Sequence, residues 1–332
     1  MMQSSPYSVK KFARPTTICY SKLMLKKFLQ NGGAISPLLI PSSDSAFNPS
    51  VCSVGDRLYI NVRSCQYVLY NGQTYNHPYG HAIYLHPESD LTLTTTNWFG
   101  ELNSDLSISW ISPVQMLPSE SHWHFVGLED ARIAYWNERL YLCGVRRDVD
   151  SVGTGRMELS EISIDGTSVR EVSRTRIPAP SPDTSYCEKN WMPIANRPFH
   201  WQKWGNPVEI VNYASGKTST VLLGDTRYFN RDQRGGGQVI PYKDGWLTIT
   251  HETLLFTDEL GRKNARYLHR FSSWSSDWKL LNSTAPSSLF GFPIEFVTGL
   301  TRHRDEYVFS FGVSDNAAYV CSVPCSYLED ML

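Results

Sequence analysis

Five stretches of the chain repeat one arrangement of polar and apolar positions: a turn-forming pair of residues, a short apolar run, and polar or aromatic residues around it. The first joins Phe47-Asn48-Pro49-Ser50-Val51 through Gly55-Asp56 to the apolar run 58–63. The second is Gly127-Leu128-Glu129-Asp130-Ala131-Arg132-Ile133, with Asn137-Glu138 as its turn and 139–143 as its strand. The third begins at Glu188-Lys189-Asn190-Trp191-Met192-Pro193. The fourth runs from Gly235-Gly236-Gly237-Gln238 through Lys243-Asp244-Gly245 to 246–252, and the fifth from Phe296-Val297-Thr298-Gly299-Leu300 through Arg304-Asp305 to 307–315. Such turn pairs between short alternating runs signal hairpins, and their return at intervals of tens of residues predicts sheets repeated radially around a funnel. The fold class expected is all-β, a propeller in one domain.

Ahead of these stretches the spacing changes. Residues 20–32 carry apolar positions at helical intervals, with Ser21 as cap and Gly32 as stop, which predicts one short helix. The expected organisation is therefore an N-terminal extension, 1–44, packed on a propeller formed by 45–332. The Pro-rich run 177–183 reads as a loop between sheets.

Composition narrows the function classes. The 18 Tyr, 14 Phe and 10 Trp residues favour strands and platforms for stacking sugars. A net charge of −1 gives no general attraction to nucleic acid or an anionic membrane. Seven scattered cysteines, without a C-x-x-C pair or a metal-ligand pattern, read as free thiols in a reducing compartment. Lys10, Lys11 and Arg14 have no apolar stretch behind them, and no segment reaches membrane-spanning length, so the expected location is cytoplasmic.

The sharpest chemistry lies in the second stretch. Glu129 and Asp130 crowd Arg132 at the start of an apolar run. Arg132 could hold one carboxylate ionised or clamp an anionic substrate while the other carboxylate titrates apart, which is how one site obtains an acid. An ordinary ion cluster at a strand entrance is the competing reading. Arg146 and Arg147, just past the strand, are candidates for a phosphate or diphosphate, against a solvated pair. Gly235-Gly236-Gly237 could present backbone N–H groups to an anion or form a flexible loop. Asp148 and Asp150 have the spacing of a transferase metal pair, a match of only two residues. Arg63, Tyr67, Tyr70 and the His77, His81, His86 group fit a glycan-facing wall better than zinc.

Taken in order, the five stretches resemble the five-bladed propellers of glycoside hydrolase family 130, the β-mannoside phosphorylases and β-mannosidases, and their relatives in glycosyltransferase family 108. The matching pieces are Phe47-Asn48-Pro49, Gly127 to Arg132, Gly245-Trp246-Leu247 with His251, and Phe296-Val297-Thr298-Gly299 with Phe311-Gly312-Val313-Ser314-Asp315. Ala131 stands where the family has proline, and the phosphate-binding arginine expected after the third stretch has no match in 190–206.

The resemblance implies an inverting enzyme of phosphorylase or transferase type acting on β-mannosides or related sugars. Asp130 would be its general acid, working through a sugar hydroxyl while phosphate attacks the opposite face. Substrate contacts would fall on Asn48, Arg63, Glu129, Arg132, Lys189, Asn190, His251 and Asp315. Anion contacts would fall on Arg146, Arg147, Lys189 and His251. No cofactor or metal is implied; inorganic phosphate, a sugar phosphate or a nucleotide sugar would be the co-substrate. Two alternatives stand beside it: a β-mannoside hydrolase with Glu188, Glu252 or Glu295 as base, and a non-catalytic glycan-binding propeller partnering a glycosyltransferase.

Overall fold

The computed structural model describes residues 23–42, 44–69, 84–85, 91–181, 186–223, 228–257, 263–292 and 294–332. Among them the chain is mostly β-structure, laid out as successive antiparallel meanders. The first contains Ser45–Val54, Arg57–Cys65, Leu93–Leu102 and Ile108–Gln115; the second contains Leu128–Trp136, Arg139–Arg146, Arg156–Asp165 and Ser168–Arg176. Their strands pair through a short parallel contact, Val169 opposite Val114 and Arg170 opposite Gln115, and side chains join them more widely, as where Asn61 and Asn97 donate to the Ala131 and Leu128 carbonyls. The third contains Met192–Pro193, His200–Asn206, Val208–Ala214 and Lys217–Leu222, and the fourth contains Ile240–Tyr242, Gly245–Thr257, Lys263–Trp274 and Leu280–Ser283. Gln233–Gly235 bridges the third to the fourth. The fold is an all-β, propeller-like assembly of curled sheets.

The burial of each strand follows from its place in this stack. Arg57–Cys65 is buried at every position after the first, because other sheets cover both its faces. Ser168–Arg176, at an outer edge, instead begins with an alternation of exposed and buried residues. This is the difference between a continuous apolar run and a half-buried strand.

The last meander does not keep to the expected boundary at 45. Glu295–His303, Glu306–Val313 and Ala317–Pro324 are completed by Ala34–Pro37, which pairs antiparallel with the third of them, Ala34 opposite Ser322 and Pro37 opposite Tyr319. The segment assigned to an extension thus supplies an outer strand, tying the two ends of the described chain together. The predicted helix is present at Met24–Gln30, with Leu23 rather than Ser21 in the N-cap position and no side-chain cap. Ser21 itself lies outside the described residues. Seven residues cannot hold a helix unaided in water. Burial of Met24, Leu25 and Phe28 holds it, with the Phe28 ring edge-on to Phe271 and Phe309, 5.9 Å from each.

The centre is bound by buried polar side chains from different meanders. Gln238 donates from Nε2 to Ser50 Oγ at 3.1 Å, to the Val51 carbonyl at 2.9 Å and to the Ile133 carbonyl at 2.8 Å. Its Oε1 accepts from the Leu300 amide at 2.7 Å. One amide therefore joins four of the five stretches. The glycines before it serve close approach: a Cβ on Gly235 would lie 1.8 Å from the Asn190 carbonyl oxygen, and one on Gly236 2.3 Å from that of Ile249. Such contacts correct the reading of a loose glycine loop, and no anion is needed to explain this run.

Candidate active site

Four of the sequence-predicted site residues share an unusual backbone state. Asn48, Asp130, Asn190 and Asp315 have φ of 47°, 49°, 62° and 49°. The left-handed region costs most L-residues roughly 1–2 kcal/mol, and Asn and Asp tolerate it best. Asn48 and Asp130 occupy it inside strands, each beside a break in ladder register. Strain of this sort gathers at functional sites.

Asp130 sits in a tight cradle. Its Oδ1 accepts from Asn48 Nδ2 at 2.9 Å and from Arg63 Nη1 at 2.7 Å, while its Oδ2 has no partner among the described residues. Arg63 is held in turn by Thr95 Oγ1 at 3.2 Å and the Tyr67 hydroxyl at 2.5 Å, and its guanidinium lies over Phe47. Glu129 Oε2 is 3.4 Å from Arg63, and its Oε1 is 4.0 Å from Arg147. Burial pushes the Asp130 carboxyl up, but Arg63, the Asn48 hydrogen bond and Arg132 together leave it below the usual carboxylate range.

Arg132 forms no ion pair with Glu129 or Asp130 among the described residues and acts on Asp130 through its charge alone, which lowers that carboxyl. Its Nε donates to the Gly236 carbonyl at 3.0 Å and its Nη1 to the Asp130 carbonyl at 2.8 Å. It is 1% exposed, and burial brings it down to about 10. The carboxylate clamp is Arg63, which comes from the preceding meander. A carboxyl that titrates apart from Asp130 is Asp315, from the last meander. Burial, with Asp130 close by, pushes the Asp315 carboxyl up to about 6, although Arg63 opposes the shift.

An aromatic wall stands beside this pair. His251 is 1% exposed and stacks on Tyr267 at 4.9 Å, with Phe296 edge-on at 5.1 Å. Burial, then the nearby His269, Arg234, Arg132 and Lys189, hold His251 well below the ordinary histidine range, so it is a neutral imidazole. Its Nδ1 is buried without a partner. Tyr267 was not legible in the sequence as a site residue. It lies near enough to Asp315 and Asp130 for both to raise its hydroxyl, although burial is the larger cause.

Lys189 and Asn190 open onto a cavity of about 480 Å³, also lined by Cys187, Trp204, Glu209 and Arg234. The two candidate arginines separate here. Arg147 reaches the cavity wall through Cys187 Sγ at 3.3 Å. Arg146 is buried, with Asp148 at 2.7 Å and Glu158 at 3.2 Å neutralising it. The structure therefore gives Arg146 a bracing role instead of an anion contact. Asp148 also accepts from Ser121 Oγ and the Gly127 amide, while Asp150 caps the turn at Val152 and Thr154; neither is arranged as a metal pair.

The three glutamates considered as hydrolytic bases are all engaged. Glu188 holds Lys203 at 2.9 Å and Trp191 Nε1 at 3.1 Å. Glu252 accepts from Gln233 at 3.2 Å. Glu295 accepts four backbone N–H groups, from Leu289, Phe290, Gly291 and Phe292, at 2.6–2.9 Å. Tyr70, His77, His81 and His86 lie outside the described residues. No metal-binding group of His, Cys, Asp and Glu occurs among the described residues, the six described cysteines are unpaired, and no described helix is long and apolar enough to cross a membrane.

No family model matches the chain, and no curated protein matches it in sequence. Solved structures do match. A provisionally assigned glycoside hydrolase from Parabacteroides distasonis is 13% identical, with TM-score 0.57 over 95% of this chain and 97% of that one. The β-1,2-mannobiose phosphorylase of Listeria innocua, solved with β-1,2-mannobiose, is 15% identical, with TM-score 0.54 over 90% of this chain and 93% of that one. A mannose phosphorylase from Leishmania mexicana, solved with a phosphate ion, is 13% identical, with TM-score 0.51 and 89% of each chain covered. The fold is thus of the glycoside hydrolase family 130 type that the five stretches resemble.

Proposed function

We propose that the protein is an inverting carbohydrate-active enzyme of glycoside phosphorylase type, acting on β-mannosides or closely related sugars, with Asp130 as proton donor. Each meander, counted with Ala34–Pro37 in the last, is one blade of a five-bladed propeller. The observation that carries the reading is the Asp130–Asp315 pair, two carboxyl groups in left-handed backbone whose surroundings push them in opposite directions. The solved phosphorylases of the same fold, acting on mannobiose and mannose, supply the substrate class.

Below about pH 6 Asp315 holds its proton while Asp130, held below the usual carboxylate range, is the first of the two to ionise. A sugar seated between them connects the two through its hydroxyls, so that the proton of Asp315 can recharge Asp130 before it is passed to the glycosidic oxygen. Asn48 and Arg63 fix Asp130 Oδ1 and leave Oδ2 for a substrate hydroxyl. Tyr267 and Phe296 form an apolar face against which a pyranose can pack. Arg147, Lys189 and His251 stand on the cavity side, where phosphate would enter.

The engaged state of Glu188, Glu252 and Glu295 favours phosphorolysis over hydrolysis, which needs a free base for water. The test is phosphate uptake or release against a panel of β-mannosides and α-mannose 1-phosphate. Phosphate-dependent turnover that is lost in Asp130→Asn supports the reading. Turnover indifferent to phosphate, or unchanged in Asp130→Asn, refutes it.

A further inference from the structure

The hairpin of Gly245–Thr257 and Lys263–Trp274 in the fourth meander outruns its neighbours. On one side its outermost ladder partner is Arg234, opposite His251; on the other it is Ser287, opposite His269. From Glu252 opposite Leu268 outward, the two strands pair only with each other among the described residues. An isolated two-stranded ribbon is at best marginally stable in water, so this outer part is a feature that the core of the blade does not require. Alternation divides it into two faces. One is braced, with Glu252 accepting from Gln233 at 3.2 Å and lying 3.9 Å from Arg270. The other carries His251, Thr253 and Leu255, opposite His269, Tyr267 and Ala265. Beyond the stacked rings of His251 and Tyr267, this second face continues the wall that stands beside Asp130 and Asp315.

Two features mark this continuation. Thr253 Oγ1 is buried with no hydrogen-bond partner among the described residues, and a buried hydroxyl left unmet costs stability. Leu255, the next residue outward on the same face, is 71% exposed. A free hydroxyl followed by an open aliphatic surface suits a sugar, which brings hydroxyls and C–H faces together. Four residues separate His251 from Leu255, about 13 Å along a strand, a span that a third sugar unit reaches and a second does not. We propose that this face is a platform for the body of an oligosaccharide, Thr253 bonding a hydroxyl of the second unit and Leu255 packing on the third. It selects β-mannose oligomers of three or more units over the disaccharide. The proposal rests on the glycoside reading above and narrows its substrate class.

The experiment measures binding of β-mannose oligomers of two, three and four units to the whole chain by calorimetry without phosphate, beside turnover of the same oligomers with phosphate. Wild type should bind the three-unit oligomer about tenfold more tightly than the two-unit one, and the four-unit oligomer no more tightly than the three-unit one. Leu255→Ser should abolish the gain from the third unit. Thr253→Val, which keeps the β-branched shape, should weaken both shorter oligomers alike. Leu281→Ser removes an exposed leucine from the outer strand Leu280–Ser283 and should keep the wild-type preference. Leu255→Ala repeats the test should Leu255→Ser lower the melting temperature. A length preference that survives at Leu255, or wild-type binding indifferent to length, overturns the platform. Turnover of the two-unit oligomer without any gain for the three-unit one overturns the platform and spares the glycoside reading. A Leu255-dependent length preference in a chain that turns over no mannoside does the reverse.

Discussion

The two sides of the candidate site are built on opposite principles. On the carboxylate side, Arg63 and Asp130 pair their charges before substrate arrives, with Arg63 also bonded to Thr95 and Tyr67, and Asn48 Oδ1 is left buried without a partner. On the cavity side, Lys189 and Arg234 are exposed and have no ion pair among the described residues. A network whose charges are already paired is preorganised and holds its geometry through a reaction. Cations left without partners await a ligand that brings charge. The comparison predicts that variants on the first side change rate, those on the second change affinity, and those in the bracing centre change stability.

The largest effect should come from Asp130→Asn. Loss of a positioned proton donor lowers turnover by roughly 10²–10⁴-fold. Asn tolerates the left-handed backbone at this position, so melting temperature should hold within a few degrees. Initial rates on the substrate found in the panel, beside thermal melts, check both halves. A parallel collapse of stability would make the residue a brace and erase the distinction between the two walls. Next in size is Gln238→Leu, which should cost roughly 2–4 kcal/mol of stability, because it strands the Leu300 amide and two carbonyls in the core. Denaturant unfolding reads this directly, and a loss below about 1 kcal/mol would mean that the four stretches do not depend on this amide.

Much of this arrangement was legible in the sequence because it is carried by short local patterns. The Gly-Asp and Asp-Gly turns and apolar runs announce the hairpins, and the Asn or Asp residues of the site are the residue types that both the chemistry and the left-handed backbone require. What stayed hidden depends on partners far apart in the chain. Arg63 and Asp130 are 67 residues apart, and Gln238 is 188 residues from Ser50, so no spacing rule joins them. Tyr267 and Arg234 belong to the site through strand register alone. The pairing of Ala34–Pro37 with the last strands was invisible for the same reason: four residues carry too little periodicity to declare a strand. Arg132 makes backbone hydrogen bonds in place of the ion pair that its closeness in sequence to Glu129 and Asp130 suggested, a partner choice no local spacing reveals.

The smallest predicted effect separates the two carboxyl groups by pH. Asp315 has a folded value of about 6 against an ordinary value of 3.8, so between these pH values the folded chain binds more protons than the unfolded one. Its contribution is therefore most favourable below about pH 4 and is lost as pH rises towards 6, the reverse of the paired Asp130. Two units correspond to at most roughly 2–3 kcal/mol. Asp315→Asn removes the titrating group while keeping a residue suited to left-handed backbone. The variant should match wild type near pH 4 and exceed it in stability at pH 7, by an amount up to that bound. Activity should move the other way: the wild-type rate should decline as Asp315 loses its proton above about pH 6, and that limb of the profile should be absent in the variant. Chemical denaturation at the two pH values, with rates across the same range, measures both. Equal stability differences at pH 4 and 7 would remove Asp315 as the proton-bearing partner, leaving Asp130 to draw its proton directly from solvent.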